Sequence, residues 1–153
     1  DKLSRGSNLM LLSIIVPVFN EEKNIGILIE KLLKLDFSGT NFSKEIIVVN
    51  DGSEDKSREI IEKFDKIQVI NQENLGKGRA VQNGIKYSTG DYVLIQDADL
   101  EYDPTDFRKF EKIFSKYSVS EKISLIICCN FLRSKLRCFS IVIENLFKSI
   151  IFE

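Results

Sequence analysis

The chain has 153 residues, of which 43% are hydrophobic and 29% charged, so it is long enough for one compact domain with a hydrophobic core. Its formal net charge of −1 gives no basic field that would hold nucleic acid through its phosphates, and we expect no nucleic-acid partner. The three cysteines lack metal-ligand spacing and there is no histidine, which excludes a zinc site and favours a reducing, cytoplasmic setting.

Residues 11–33 predict a strand followed by a helix. Residues 11–16 form a nearly continuous β-branched run closed by Pro17, which is typical of a strand buried on both faces of a parallel sheet. Asn20 then predicts a helix cap, and the two glutamates after it suit the positive end of a helix dipole. Apolar residues at helical spacing predict one buried helix face: Ile25, Leu28, Ile29, Leu32 and Leu33.

The same alternation of strand and helix repeats further along the chain. Each pair of parallel strands needs a crossover, and such crossovers are right-handed, so the pattern predicts a doubly wound α/β fold with helices on both faces of an open sheet. Further strands are predicted at residues 45–50, 67–70, 92–95 and 123–128, and further helices after a cap at Ser53, over residues 77–88 and from Asp103.

This pattern divides the chain into three parts. Residues 1–10 form an N-terminal extension, residues 11–128 the α/β domain, and residues 129–153 a divergent C-terminal segment. The missing initiator Met and the abrupt end predict a piece of a longer protein. No stretch reaches the ~18 uninterrupted apolar residues of a membrane span. The tail from Leu132 fits either an amphipathic helix in peripheral contact with a membrane or a helix facing the core.

Two aspartates directly follow the strand at residues 92–95. Ligands of an open parallel sheet bind outside the carboxyl ends of its strands, so these positions are candidates for a site. Asp97 and Asp99 lie two residues apart, and we expect them on the same side with Cα atoms roughly 6.5–7 Å apart. Two like charges so placed favour Mg²⁺ or Mn²⁺, with substrate phosphate oxygens and Glu101 as further ligands. The alternative is that one aspartate caps a turn and the other is solvated.

The ends of the first two strands carry candidates for binding a nucleotide. Asp51 lies in a tight Asp-Gly-Ser turn and is either an acceptor for the N–H edge of a base or the origin of an Asx turn or a helix cap. Pro17 and Phe19 suit an apolar wall beside that base. Asn20 and Glu21 suit a cap for both the helix and the ligand, and the alternative is a plain turn.

The loop at residues 76–79 has two glycines and two cations at a predicted helix start. It is incomplete as a Walker motif, because Gly78 is not followed by Lys and Ser or Thr, and as a dinucleotide motif, because Val81 replaces the last glycine. What remains is a helix start bearing Lys77, which either contacts a diphosphate or is solvated.

Four motifs in this order resemble the family 2 glycosyltransferases, over roughly residues 11 to 117. Within that family the chain looks most similar to the branch of dolichyl-phosphate mannose synthase and its bacterial polyprenyl-phosphate relatives. The motifs are Ile-Ile-Val-Pro-Val-Phe-Asn-Glu-Glu at 14–22, Val-Asn-Asp-Gly-Ser at 49–53, Asn-Leu-Gly-Lys-Gly at 74–78, and Asp-Tyr-Val at 91–93 leading to Asp-Ala-Asp-Leu-Glu at 97–101.

The resemblance implies a GT-A fold, a Rossmann-like open and mostly parallel sheet. It implies a UDP- or GDP-linked sugar donor and inversion at the anomeric carbon. A polyprenyl or dolichyl phosphate acceptor is already an anion and needs no general base, whereas a hydroxyl acceptor needs a carboxylate to take its proton. A cation held by Asp97 and Asp99 would stabilise the departing diphosphate, which makes Asp99 the candidate catalytic residue. The implied nucleotide-sugar-binding residues are Pro17, Phe19, Asn20, Glu21, Asp51, Lys77, Asp97 and Ala98, and the implied metal ligands are Asp97, Asp99 and Glu101.

The chain departs from the family pattern at two places. Glu101 stands where lipid-phosphate members usually carry Gln, which bears on the outer metal ligand and the branch, and residues 127–131 replace the usual Gly-Ser-Arg segment. The replaced segment and the clipped ends favour an alternative, a nucleotide-binding remnant or fragment without catalytic activity by itself. A phosphohydrolase with Asp97 as nucleophile fits less well, because the aspartate pair of such enzymes follows the first strand. We expect a cytoplasmic location, at the cytoplasmic face of a membrane if the acceptor is a lipid phosphate.

Overall fold

In the computed structural model of the chain, the structure describes residues 9–100 and 126–128, and these form five parallel strands with three helices between them. The doubly wound α/β class predicted from the sequence is confirmed. Glu101 and the predicted helix from Asp103 lie outside the described residues. The elements are β1 (Met10–Val18), α1 (Ile25–Lys34), β2 (Phe42–Asp51), α2 (Ser57–Ile61), β3 (Gln68–Gln72), α3 (Lys77–Tyr87), β4 (Tyr92–Ile95) and β5 (Ile126–Cys128).

The strand order β3-β2-β1-β4-β5 places β1 at the centre of the sheet. From β1 the chain proceeds outward through β2 to β3, and then crosses to β4 on the other side of β1. The direction of winding therefore reverses between β1 and β4. In sheets of this kind the crevice outside the carboxyl ends of such a pair of strands is where ligands bind.

The sheet is covered on both faces, which explains the unbroken apolar runs of its central strands. Alternate residues of β1 point to opposite faces of the sheet. Ile14 and Val16 belong to the hydrophobic cluster between the sheet and helices α1 and α2, whereas Ile15 belongs to the hydrophobic cluster between the sheet and α3. The predicted inner face of α1 is confirmed, with Leu33 half-buried and the other four residues buried. Gly84 lets α3 lie close to the sheet, because a Cβ there would collide with the Ile15 side chain.

The C-terminal end of α1 is held by a lysine from the neighbouring strand. The Lys44 ammonium donates hydrogen bonds to the carbonyl oxygens of Leu32 (2.7 Å), Leu33 (2.9 Å) and Leu35 (2.6 Å). The last carbonyls of a helix have no partner within it and carry its negative dipole end, so a cation stabilises them. Burial lowers the pKa of Lys44, and nearby Asp36 opposes that shift.

Two of the predicted helix caps are wrong. Asn24, not Asn20, is the N-cap of α1, and Lys56, not Ser53, is the N-cap of α2. The Asn20 side-chain oxygen instead accepts the Glu54 N–H (2.8 Å), and the Ser53 hydroxyl accepts the Asn20 N–H (3.1 Å). The loops that follow β1 and β2 lie side by side, so each side chain finds its partner in the other loop rather than in its own helix.

Within the ranges 9–100 and 126–128, no helix is both long and apolar enough to cross a membrane. The predicted tail helix falls outside these ranges. The proposed division into an extension, a domain and a C-terminal segment stays a prediction.

Candidate functional site

A cavity of about 420 Å³ opens where the winding of the sheet reverses, at the carboxyl ends of β1 and β4. Of the candidate residues that the structure describes, all but Asn20 line it, and Glu101 lies outside the described residues. The structure therefore brings together side chains from four separate loops, while their roles stay predictions. The lining residues are Pro17, Val18, Phe19, Glu21, Asp51, Asn74, Gly76, Lys77, Ala80, Asp97, Ala98 and Asp99.

Pro17 lies inside β1, which continues to Val18 instead of ending at the proline. The carbonyl of Ile15 accepts the Gln96 N–H at 2.9 Å, so this edge of β1 faces β4. In a parallel strand, residues two apart present their backbone polar groups to the same neighbour. The missing N–H of Pro17 therefore lies on the β4 side of β1, beyond Ile15, the last residue of β1 in the β1–β4 register, and it interrupts no pair of that register.

The chain turns sharply after β1 and presents different side chains to different surroundings. Phe19 is 45% exposed at the cavity wall, in a position open to an apolar or stacking contact. Asn20 has a left-handed backbone with φ of 54°, and its side chain is bound to the loop after β2 rather than lining the cavity. Glu21 supports the start of α1, because its carboxylate accepts a hydrogen bond from the Asn24 amide at 3.0 Å.

The Asp51 carboxylate, only 3% exposed, anchors the loop that leads into α3. Its Oδ1 accepts hydrogen bonds from the Gln72 side-chain amide (2.6 Å) and the Leu75 N–H (2.9 Å), and its Oδ2 accepts the Gly76 N–H (2.9 Å). This arrangement is neither the Asx turn nor the helix cap that the sequence left open for Asp51, because its three donors lie 21–25 residues further along the chain. A carboxylate has about four acceptor positions, so one or more remain available for the expected contact with a base.

Gly52 makes this anchoring possible by allowing the two loops to meet. Its φ of 68° is one that residues with a Cβ rarely adopt, and a Cβ there would lie 2.6 Å from the Asn74 backbone nitrogen. Asn74, which lines the cavity, is thus held against the turn that follows β2. Spacing along the sequence gave no sign of this approach, although both residues belong to the recognised motifs.

The α3 helix begins at the cavity with a cation. Its N-cap, Gly76, has φ of 89° and offers no side chain to the helix end, and Lys77 is the first helical residue. The Lys77 ammonium lies 2.6 Å from Oδ1 of Asp97. Arg79, the other cation of the loop, instead donates a hydrogen bond to Gln82 (3.1 Å) and is not part of the cavity lining.

Asp97 and Asp99 leave β4 into the same cavity, as their spacing predicted. They differ in environment: Asp97 is 7% exposed and paired with Lys77, whereas Asp99 is exposed. Ala98 between them is buried against the core under α1. Leu100, immediately after the pair, has φ of 60°, so the chain makes a strained turn at the point where it passes the cavity.

Over residues 9–100 and 126–128, no group of three or more histidine, cysteine, aspartate or glutamate side chains is placed to hold a metal ion. Of the expected metal ligands, the structure describes the carboxylates of Asp97 and Asp99. Glu101, the expected third ligand, lies outside it. Two carboxylates are nevertheless sufficient for Mg²⁺, which keeps water and substrate phosphate oxygens as its other ligands.

The cavity is strongly acidic. Among the residues that the structure describes, four carboxylates and one ammonium line it, so their ionised side chains contribute a formal charge of −3 (one positive and four negative). A cavity of this charge attracts cations and disfavours an anion that arrives alone. The charged lining residues are Glu21, Asp51, Asp97, Asp99 and Lys77.

The fold and this site define a GT-A domain with a cavity at the carboxyl ends of its central strands. The family described as "Glycosyl transferase family 2" matches residues 13–133, and the chain belongs to that family. Its predicted membership is confirmed.

The curated relatives support the lipid-phosphate branch of this family. The chain is 34% identical over 124 residues to the dolichyl-phosphate beta-glucosyltransferase ALG5D of Trichomonas vaginalis, covering 75% of this chain and 38% of that protein. It is 38% identical over 112 residues to the dolichyl-phosphate beta-glucosyltransferase of Mus musculus, covering 66% and 35%. The chain thus spans little more than a third of the length of these relatives.

Solved structures confirm the GT-A fold. Residues 1–349 of TarS from S. aureus match with a TM-score of 0.58 and 33% identity, over 70% of this chain and 32% of that one. The complex of the same protein with UDP matches with a TM-score of 0.59 and 31% identity, over the same shares of the two chains.

Proposed function

We propose that the full-length protein is an inverting glycosyltransferase that moves glucose from UDP-glucose to a dolichyl or another polyprenyl phosphate. The relatives named dolichyl-phosphate beta-glucosyltransferases support the sugar and the acceptor. The UDP and UDP-GlcNAc complexes of TarS support uridine over guanosine. A lipid-linked acceptor lies at a membrane surface, so we place the reaction at the cytoplasmic face of a membrane.

The observation that carries this proposal is the excess of carboxylates in a cavity whose expected ligand is itself an anion. At an effective dielectric constant near 20, two like unit charges ~7 Å apart repel by about 2 kcal/mol. A diphosphate facing Asp97 and Asp99 therefore needs a cation between them. The residues fit such an ion, because the buried oxygen of Asp97 already takes a cationic partner, the Lys77 ammonium.

We therefore propose Mg²⁺ or Mn²⁺ as the cofactor, held by Asp97 and Asp99 with Glu101 as an outer ligand. When bound, the ion supplies electrostatic stabilisation of the negative charge that develops on the departing UDP. Asp99 acts by holding that ion, which makes it the proposed catalytic residue.

The remaining lining residues would bind and orient the donor. Pro17 and Phe19 offer an apolar wall to the base, and Asp51 offers its remaining acceptor positions to the N–H edge of uracil. Lys77 and the backbone N–H groups at the start of α3 donate to the diphosphate. An oxygen of the acceptor phosphate attacks the anomeric carbon from the opposite side, and the bond from that carbon to the UDP oxygen breaks. Because the acceptor is already ionised, no side chain needs to remove a proton.

The test is calorimetric titration of the full-length protein with UDP-glucose in Mg²⁺ or Mn²⁺ and again with a chelator, followed by a turnover assay with dolichyl phosphate. We expect tight donor binding only with the metal. Asp99→Asn should lower the rate by about 10²–10³-fold, the usual effect of losing a principal stabiliser of developing charge. Asp65→Asn, an exposed aspartate outside the cavity lining, is the matched control and should have no effect.

Equal donor affinity with and without chelator would refute the metal role, and an unchanged rate in Asp99→Asn would refute the role of that residue. The replaced Gly-Ser-Arg segment at residues 127–131 favours a second function, a nucleotide-binding remnant. Donor binding without turnover in the full-length protein would identify that second function.

A further inference from the structure

We infer that Lys77 is an exchangeable counter-ion of Asp97 that makes metal binding and donor binding depend on each other. Without the donor, the ammonium neutralises Asp97 and competes with a divalent ion. When the diphosphate binds, Lys77 turns to it and Asp97 becomes available to the ion. This inference rests on the proposed function and adds to it a positioning role for one residue.

The first support is the asymmetry of the ion pair. The Asp97 side chain is 9% exposed and its Oδ1 is fully buried, whereas the Lys77 side chain is 55% exposed. Asp97 is therefore fixed at the end of β4, and the long, solvated side chain of Lys77 is the partner able to move. A buried carboxylate that loses its cation is strongly destabilised, so we expect Lys77 to leave when another cation replaces it.

The second support is the position of Lys77 at the first residue of α3. An ammonium there faces the positive end of the helix dipole, which is unfavourable. No acidic residue lies in the first turn, and the N-cap Gly76 makes no side-chain hydrogen bond, so nothing within the helix offsets this charge. Lys77 thus does not stabilise the helix end, and its stabilising contact in the structure is with Asp97.

The third support is that Lys77, and not Arg79 of the same loop, lines the cavity. Arg79, two residues further along, makes its hydrogen bond within α3 and does not line the cavity. The loop thus places one of its two cations where a diphosphate and a carboxylate compete for it. A diphosphate offers several charged acceptors and is the stronger partner.

These contacts determine the sign of the coupling. A divalent ion that arrives alone must displace the ammonium from Asp97 and leave it nearby as a like charge, so the ion binds weakly. With the diphosphate present, the ion and the ammonium both have anionic partners. Coupling free energies between sites usually correspond to factors of about 5–150 in affinity.

The experiment titrates the full-length protein with Mn²⁺, following free Mn²⁺ by electron paramagnetic resonance, with and without UDP. We expect UDP to tighten Mn²⁺ binding to the wild-type protein at least about fivefold. Lys77→Gln should bind Mn²⁺ alone at least about fivefold more tightly than the wild-type protein does, and should lose most of the UDP effect. Lys77→Arg, which keeps the charge, should retain weak binding of Mn²⁺ alone.

The matched control is Arg79→Gln, which removes the same charge from the same helix turn outside the cavity lining. Its Mn²⁺ affinity should stay within about twofold of the wild-type value if the effect belongs to the ion pair rather than to net charge. Unchanged affinity for Mn²⁺ alone in Lys77→Gln, or an equal rise in Arg79→Gln, would overturn the inference and leave the proposed function standing. If UDP fails to tighten Mn²⁺ binding to the wild-type protein, the proposed metal role itself is refuted.

Discussion

Replacing Asp51 by Asn tests whether this carboxylate anchors the loop before α3. The substitution keeps the size of the side chain but removes its charge and turns one oxygen into a donor. One amide oxygen can still accept from Gln72 and Leu75, whereas the new NH₂ group faces the Gly76 N–H, where Oδ2 now accepts at 2.9 Å. Two donors then meet in a region where the side chain is almost fully buried.

The magnitude follows from these contacts. A hydrogen bond to a charged group contributes about 1.5–3 kcal/mol, and an unpaired buried donor costs about 1–3 kcal/mol. Some relaxation of the Gly76 backbone offsets part of this sum, so we expect Asp51→Asn to lower the free energy of unfolding by about 2–3 kcal/mol. UDP affinity should fall as well, because the loop carries Lys77 into the cavity.

The assay is urea unfolding followed by circular dichroism, together with calorimetric titration of UDP. Asp65→Asn is the matched control, since it makes the same chemical change at an exposed site. A loss of UDP affinity in Asp51→Asn with a change in stability below about 0.5 kcal/mol, the usual range for surface substitutions, would show that Asp51 serves the ligand and not the loop. That result would refute the anchoring role derived from its three hydrogen bonds.

Two further predictions concern parts of the domain away from the cavity. Lys44→Met should destabilise the protein by about 1–2 kcal/mol in urea unfolding, because it leaves three carbonyls at the end of α1 without their donor. The control is Lys31→Met on α1 itself, which should not destabilise the protein. Burial raises the pKa of Glu45, but hydrogen bonds from Ser13 and residues 89–90 outweigh it and leave that pKa below the usual 4.5. The Glu45 carboxylate therefore stabilises the fold fully above the unfolded-state pKa, and this stabilisation is lost as the pH falls through the lower folded-state pKa. The difference in unfolding free energy between wild type and Glu45→Gln should thus shrink from about pH 6 to about pH 3. A constant difference would contradict this.

Elements with strong local patterns were predictable from the sequence. The strand Tyr92–Ile95 has the bounds that its apolar run indicated, and α3 ends one residue before the predicted end. The cluster of candidate side chains followed from the rule that ligands bind at strand ends. In each case the pattern lies within a short stretch of chain, or the topology alone decides the outcome.

The contacts that shape the site were not predictable, because they join residues far apart in the sequence. Asp51 binds residues 21–25 positions further along the chain, and Lys77 reaches Asp97 across 20 positions. Asn20 and Ser53 fit a local capping rule, but the neighbouring loop supplied better partners. Once the sheet places two loops side by side, long-range hydrogen bonds replace the local ones.

These contacts also explain how a folded domain keeps four carboxylates around one cavity. Asp51 is stabilised by three N–H donors, Asp97 by the Lys77 ammonium, and Glu21 by the Asn24 amide. Asp99 is the exposed member, so its carboxylate is accessible to an ion from solvent. The two aspartates of the motif are therefore unequal: Asp99 is exposed, whereas Asp97 is buried and paired with Lys77. That inequality predicts that Asp99→Asn weakens Mn²⁺ binding more than Asp97→Asn does when UDP is absent, and that the two losses become similar when UDP is present.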